Sequence, residues 1–528
     1  MVGKWYRLGQ LACAAQHALW MTYHVALGML RFAVYDNRGR AREWPMHDVV
    51  LIGKGDVVVP GTVRFDPEQG IIECHPREDG ALALGLLHDA GPAGHLSLRT
   101  CLLAPSPEPY VLSVELARHK IGQFLVKCEE WQMAYLGDGH PAIERWEDAR
   151  LGFTRAMVAT DPVTAHREGQ ASLVKAIDAA ERLVMVHAEI LLRRRYGERG
   201  AASTSLGCRV QPGRCTTGLQ QLLSQQFGLV VLPLTWQMLC PRAGEYNWDR
   251  ADAWMEWALD NRRRIVLGPL IDLEPGCLPD WTNQWSGDYL ALRDAAYEHV
   301  ERVVQRYGDS VGMWNLVNGM EAGAPPVTTE REMVDLVRTL SLLVRSANRG
   351  RRIVVEIARP WGHYRATSPE APDPMSFIAR LAQSGVRLDA VGIRLLMGGT
   401  TGTSTRDFMD ICGMLDRLLT LEVPVLISAC SVPDRTVEDG RGEWRSGWSA
   451  KAQSVWANLL PQICLARPYV ESVIWGDLYD FDGIHPVGGG LVTAEGRGKP
   501  ALQRLAMLRQ RLSQPWTEVT TAADDTAS

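Results

Sequence analysis

Between residues 207 and 512, short apolar runs alternate with amphipathic stretches eight times, and nothing else in the chain restricts its fold so strongly. The strand candidates are 207–210, 229–236, 265–272, 312–318, 353–357, 390–396, 424–429 and 472–476. Helical periodicity fills the gaps. In 291–307, Leu292, Ala296, Val300, Val303 and Tyr307 fall on one side, and a similar stripe runs through 499–512. Strand–helix alternation favours a parallel sheet with helices outside it. Eight such units over roughly 300 residues predict a closed (β/α)8, or TIM, barrel.

A chain of 528 residues is too long for one core, so more than one domain is expected. Residues 29–112 read as short strands punctuated by Gly and Pro, among them Val57-Val58-Val59 before Pro60-Gly61, and Ile71-Ile72-Glu73-Cys74. That pattern predicts a β-sandwich-like domain. In 113–200 the period lengthens to that of helices, which predicts a hairpin or linker. The barrel then occupies 201–513. The stretch 514–528 is polar and small-residue-rich, and is expected to be disordered. Residues 1–28 make a poor signal peptide, because Gln10, Gln16, His17 and His24 interrupt the apolar stretch. Met29, just ahead of strand-like sequence, is a second candidate start, which makes 1–28 a non-native extension.

Charge and cysteine usage narrow the partners. A formal charge of −5 argues against nucleic acid. The basic runs Arg193 to Arg195, Arg262 to Arg264 and Arg349 to Arg352 all end helical patterns, where they complement the helix dipole. No run is long enough to span a membrane. Eleven cysteines with no C-x-x-C pair read as reduced thiols, hence a cytoplasmic location. Cys208 and Cys215 are close in sequence, but a bridge between them is not the expected reading. The histidines are dispersed, so no metal constellation or cofactor is implied.

Several segments resemble the xylanase-type glycoside hydrolases (glycoside hydrolase family 10), over about residues 207–513. Trp236, Pro241, Gly244, Tyr246, Asn247, Trp248, Ala251 and Asp252 are similar to the segment after that family's second strand. Pro279-Asp280-Trp281 resembles its "P.W", and Arg306-Tyr307-Gly308 with Trp314-Asn315-Leu316-Val317-Asn318 resembles "RYG…WDVVNE". Asp389 to Ile393, Pro424 to Ile427, Trp475-Gly476 and Lys499-Pro500-Ala501 follow in the family's order.

The resemblance implies where chemistry should sit. A retaining glycosidase needs two carboxyl groups roughly 5–5.5 Å apart, one as acid and one as nucleophile. The acid position, directly after Asn318, holds Gly319, and the nucleophile position, after Ser428, holds Ala429. Neither residue can donate a proton or attack carbon. The sugar-gripping shell has changed too. Leu232, Thr235, Pro269, Arg394 and Leu396 stand where the family has Asn, Lys, His, Gln and His. Each lost hydrogen bond removes about 0.5–1.5 kcal/mol. Trp236, Asn318 and Trp475 remain.

Other carboxylates lie near predicted strand ends: Asp272, Glu274, Glu321, Glu356, Asp477 and Asp480. Glu321 and Glu356 are the fallback catalytic candidates. The plainer reading makes Glu321 a loop surface residue and pairs Glu356 with Arg394. Tryptophan outnumbers phenylalanine, 18 to 8, and Trp281, Trp285, Trp361, Trp444 and Trp448 fall on barrel-top loops. Flat rings there suit sugar stacking or plain packing equally. Three functions follow. A non-catalytic carbohydrate-binding pseudo-glycosidase predicts a groove lined by Trp361, Trp444, Trp448 and Trp475, with Trp236, Asn318 and Arg394 beneath. A divergent O-glycosyl hydrolase needs relocated carboxylates. A scaffold with a protein partner predicts a mouth plugged by Pro269, Leu396, Met397 and the N-terminal region. The partners left open are an oligo- or polysaccharide, or a protein.

Overall fold

The computed structural model describes residues 29–517, apart from 37, 38, 78, 79, 325, 326, 328, 348 and 349. The proposed extension 1–28 and most of the tail 514–528 lie outside the described residues. The chain forms two compact units, one from 29–88 with 98–179, the other from 89–97 with 180–517.

The first unit is β-rich, then helical. One sheet orders its strands Tyr110–Val111, Leu30–Ala33, Ile71–Pro76 and Gly61–Asp66, and in another Val50–Ile52 lies between Val58–Val59 and Ala83–Asp89. Leu112–Glu130 and Pro141–Val158 follow as helices, meeting a third, Pro162–Tyr196, through a cluster of Ile121, Ala149 and Ala176. Gly152 allows the close approach: a Cβ there would stand 3.3 Å from Ser172 Cβ, whose hydroxyl donates to the Ala149 carbonyl at 2.6 Å. The helical pattern read in 113–200 is present as these three helices. Two and part of the third belong with the sheets, and the third continues into residues counted with the barrel.

The second unit is the expected barrel. Its strands are β1 (Leu206–Arg209), β2 (Leu229–Leu232), β3 (Arg264–Leu267, resumed at Ile271–Asp272), β4 (Met313–Asn318), β5 (Arg352–Ile357), β6 (Ala390–Leu396), β7 (Val425–Ser431) and β8 (Val470–Trp475). All neighbours pair in parallel, and β1 closes against β8. β2 is shorter than its apolar run suggests: it stops before Pro233, which has no N–H for the ladder, and Trp236 begins a short helix, Trp236–Leu239.

Alternation along the strands sets the barrel's interior in layers. Val354, Ala390 and Leu426 form one apolar cluster, and Leu229, Val231, Val266 and Ile474 another, with Met313 packed against both. Two residues further along the same strands stand Glu356, Gly392 and Ser428, where the interior turns polar.

Candidate functional site

The C-terminal mouth of the barrel holds a buried ion cluster. Arg394, on β6, points its guanidinium at two carboxylates: Nε donates to Glu356 Oε1 of β5, and Nη2 lies 3.3 Å from Asp272 Oδ2 of β3. All three side chains are under 10 % exposed. Glu356 also accepts from Asn315 Nδ2 and, at 3.0 Å, from Ser428 Oγ. Asp272 Oδ1 accepts from Asn318 Nδ2 at 2.8 Å and from the Glu274 N–H at 3.0 Å. Burial alone would pull the Arg394 pKa down, but Glu356 and then Asp272 outweigh it and hold the charge in place.

Backbone geometry makes the cluster possible. A Cβ on Gly392 would fall 3.1 Å from Ser428 Cβ and Oγ and 3.3 Å from Glu356 Cγ, so glycine leaves the space through which Ser428 reaches Glu356. The register between β6 and β7 slips by one: Ile393 faces Ile427, whereas Arg394 faces Ala429. Ser428 is the extra residue, and such bulges re-aim side chains at barrel rims.

The two positions assigned to catalysis by resemblance lie within this frame. Ala429 is fully buried beside Arg394. Gly319 has φ +68°, and a Cβ there would stand 3.5 Å from Glu274 Oε1. Glu274 pairs with Arg359 at 3.4 Å. Asp480 pairs with Lys499 at 2.6 Å.

Glu321 is not a loop surface residue. Its side chain is fully buried, and Oε1 accepts the N–H groups of Ala358 at 2.9 Å and Arg359 at 3.0 Å, tying the loop after β4 to the end of β5. Oε2 has no hydrogen-bond partner among the described residues. Burial pushes its pKa up to about 7; the Arg359 N–H opposes the shift and Glu274 adds to it. Asp477, past the end of β8, is likewise pushed up to about 7 by burial, against Arg209 and Arg394. No sequence signal marked Glu321 as interior, because its partners are backbone groups.

Most of the tryptophans offered as a sugar platform are interior. Trp236, Trp444, Trp448 and Trp475 are each at most 4 % exposed. Trp444 donates to Glu181 Oε1 at 2.7 Å, Trp448 to the Gly442 carbonyl at 3.0 Å, and Trp475 to the Gly489 carbonyl at 2.8 Å. Trp236 stacks on His299 with ring centroids 4.9 Å apart. Trp361 is half-buried, with the Arg406 guanidinium 4.5 Å over its ring. A buried indole contributes most when its N–H is satisfied, and three of these meet that condition. Met397 is buried and Leu396 half-buried, while Cys208 and Cys215 are free thiols.

A closed parallel barrel with its polar side chains gathered at the C-terminal strand ends is the layout of TIM-barrel enzymes. The chain belongs to glycosyl hydrolase family 10, whose model matches residues 198–482, just over half of its length. It is similar to endo-1,4-beta-xylanase A of Halalkalibacterium halodurans, at 23% identity, and to endo-1,4-beta-xylanase 3 of Hypocrea jecorina, at 25%. Each match covers 37% of this chain and 53% of the relative, so the chain spans about half the length of these curated relatives. Among solved structures, native xylanase 10B from Thermotoga maritima aligns with TM-score 0.46 at 14% identity, covering 62% of this chain and 98% of that one. No helix among the described residues is long and apolar enough to cross a membrane.

Proposed function

We propose that this chain is a catalytically inactive member of its family, a pseudo-glycosidase whose barrel binds carbohydrate without cutting it. One observation carries the reading: four carboxylates at the mouth, those of Asp272, Glu274, Glu356 and Asp480, are already held in ion pairs. Asp272 and Glu356 share Arg394, Glu274 pairs with Arg359, Asp480 pairs with Lys499, and Glu321 Oε1 is bound to backbone. A glycosidase needs one carboxyl free to donate a proton and another free to attack or to activate water. Binding of oligosaccharide is what kinship with proteins named xylanases supports. The half-buried rim of Arg209, Glu274, Cys277, Arg359 and Asp477 supports it too, since these side chains keep some access to solvent.

The buried tryptophans favour a second reading, a scaffold with a protein partner, because a ring packed in the interior cannot stack on a sugar. Calorimetry with xylo- and gluco-oligosaccharides, with reducing-sugar release followed in the same samples, separates the readings. Heat without release is the expected result. Release would overturn the inactive reading, and neither heat nor release would leave the scaffold ahead.

A further inference from the structure

Three arginines converge on the barrel mouth, and two of them are committed. Arg394 holds Asp272 and Glu356, and Arg359 holds Glu274. Arg209 differs. It ends β1, is half-buried, and among the described residues its guanidinium has no hydrogen bond and no ion pair. Its Nε is shielded from solvent without an acceptor. An unpaired, partly desolvated guanidinium is unfavourable, and proteins ordinarily match one with a carboxylate, phosphate or carbonyl.

The surroundings restrict what could match it. Arg209 stands opposite Val231, a member of the interior apolar cluster, so its side chain points into the barrel rather than outward, and Asp477 and the Cys277 thiol are close enough to feel its charge. The carboxyl of Asp477 interacts with Arg209, and those of Asp272 and Glu274 act with it on Cys277, so the mouth disfavours a dianion more than a monoanion. Cys277, pushed up to about 12 mainly by burial, stays a neutral thiol. A single carboxylate, which a guanidinium grips through two parallel N–H···O bonds, suits this balance better than a phosphate.

We infer that the mouth takes a carboxylate-bearing sugar, a uronate, with Arg209 as the residue that binds its carboxylate. The inference rests on the reading of the barrel as carbohydrate-binding and adds a substrate class to it. The test is calorimetry of the whole chain with D-glucuronate, xylobiose and inorganic phosphate, repeated on Arg209→Gln and Arg209→Lys. Glucuronate should bind at least tenfold more tightly than phosphate. Arg209→Gln should lose that binding by tenfold or more, and Arg209→Lys should retain part of it. Should Arg209→Gln fail to fold, salt supplies the second readout. Glucuronate binding at a part-exposed ion pair weakens as ionic strength rises, whereas recognition of hydroxyls does not. Equal binding of phosphate, or glucuronate binding indifferent to both Arg209→Gln and salt, would overturn the inference. Binding of xylobiose without glucuronate would also overturn it, while leaving the carbohydrate-binding reading intact.

Discussion

Arg394 and Ala429 face each other in register on adjacent barrel strands. The strand position that resemblance gives to a nucleophilic carboxylate therefore lies beside a guanidinium already held by two other carboxylates. Restoring Glu at Ala429 and Gly319 together should not restore hydrolysis. A carboxylate at 429 would enter the Arg394 cluster, and one at 319 would crowd Glu274 from a left-handed backbone position. Reducing-sugar release from xylan should stay at background in the double variant; turnover above background would contradict this account.

Removing the guanidinium isolates its partners. Arg394→Met leaves Asp272 and Glu356 buried without their cation, which costs about 3–5 kcal/mol. The urea midpoint should fall accordingly. Adding Asp272→Asn and Glu356→Gln should recover part of the loss, because the uncompensated charges are then gone. Urea melts of the three chains decide the matter.

Stability should also depend on pH through Glu321. Its folded pKa, about 7, is raised above the ordinary 4.5, so the folded state holds this proton more tightly than the unfolded chain does. The resulting stabilisation is fully present below about pH 4.5 and is lost as pH rises through about 7, with a magnitude on the order of 3 kcal/mol. Glu321→Gln keeps an acceptor for the Ala358 and Arg359 N–H groups and cannot ionise. Denaturant melts between pH 5 and 8.5 should show a falling stability in the parent chain; the variant should lose the share due to Glu321 and keep that of Asp477, whose carboxyl is raised to the same value.

Gly392→Ala tests the packing inside the barrel. The added methyl meets Ser428 at 3.1 Å and Glu356 Cγ at 3.3 Å, so one of them must shift. The expected loss is about 1–3 kcal/mol, visible as a lower thermal midpoint. An unchanged midpoint would mean that the Ser428–Glu356 contact is easily rearranged.

How much of this was legible in the sequence depends on how far apart the partners lie. The eight barrel strands could be read because each is an apolar run between helical patterns, a purely local signal. Their ends moved, as at β2, where Pro233 cut the run short, and β3 broke between Leu267 and Ile271. The pairing of Glu356 with Arg394 could be anticipated because both are charged and close strand ends on the same rim. Glu321 could not be read as buried, since its acceptors' partners are peptide N–H groups at 358 and 359, invisible in side-chain chemistry. Stacking and packing could not be told apart for Trp444, because the carboxylate that receives its N–H, Glu181, lies 263 residues earlier in the chain.

Lys499 bears on where this protein can be cut. Its ammonium, only 4 % exposed, bonds Asp434 at 2.7 Å, Asp480 at 2.6 Å and the Gly488 carbonyl at 2.9 Å. The loops following β7 and β8 are thereby fastened to the turn that opens the last helix, Pro500–Leu512. The match to the family model ends at residue 482, ahead of Gly488 and Lys499. A fragment trimmed to that boundary would keep both aspartates and discard the cation between them, so a piece that retains this fastening extends past residue 499.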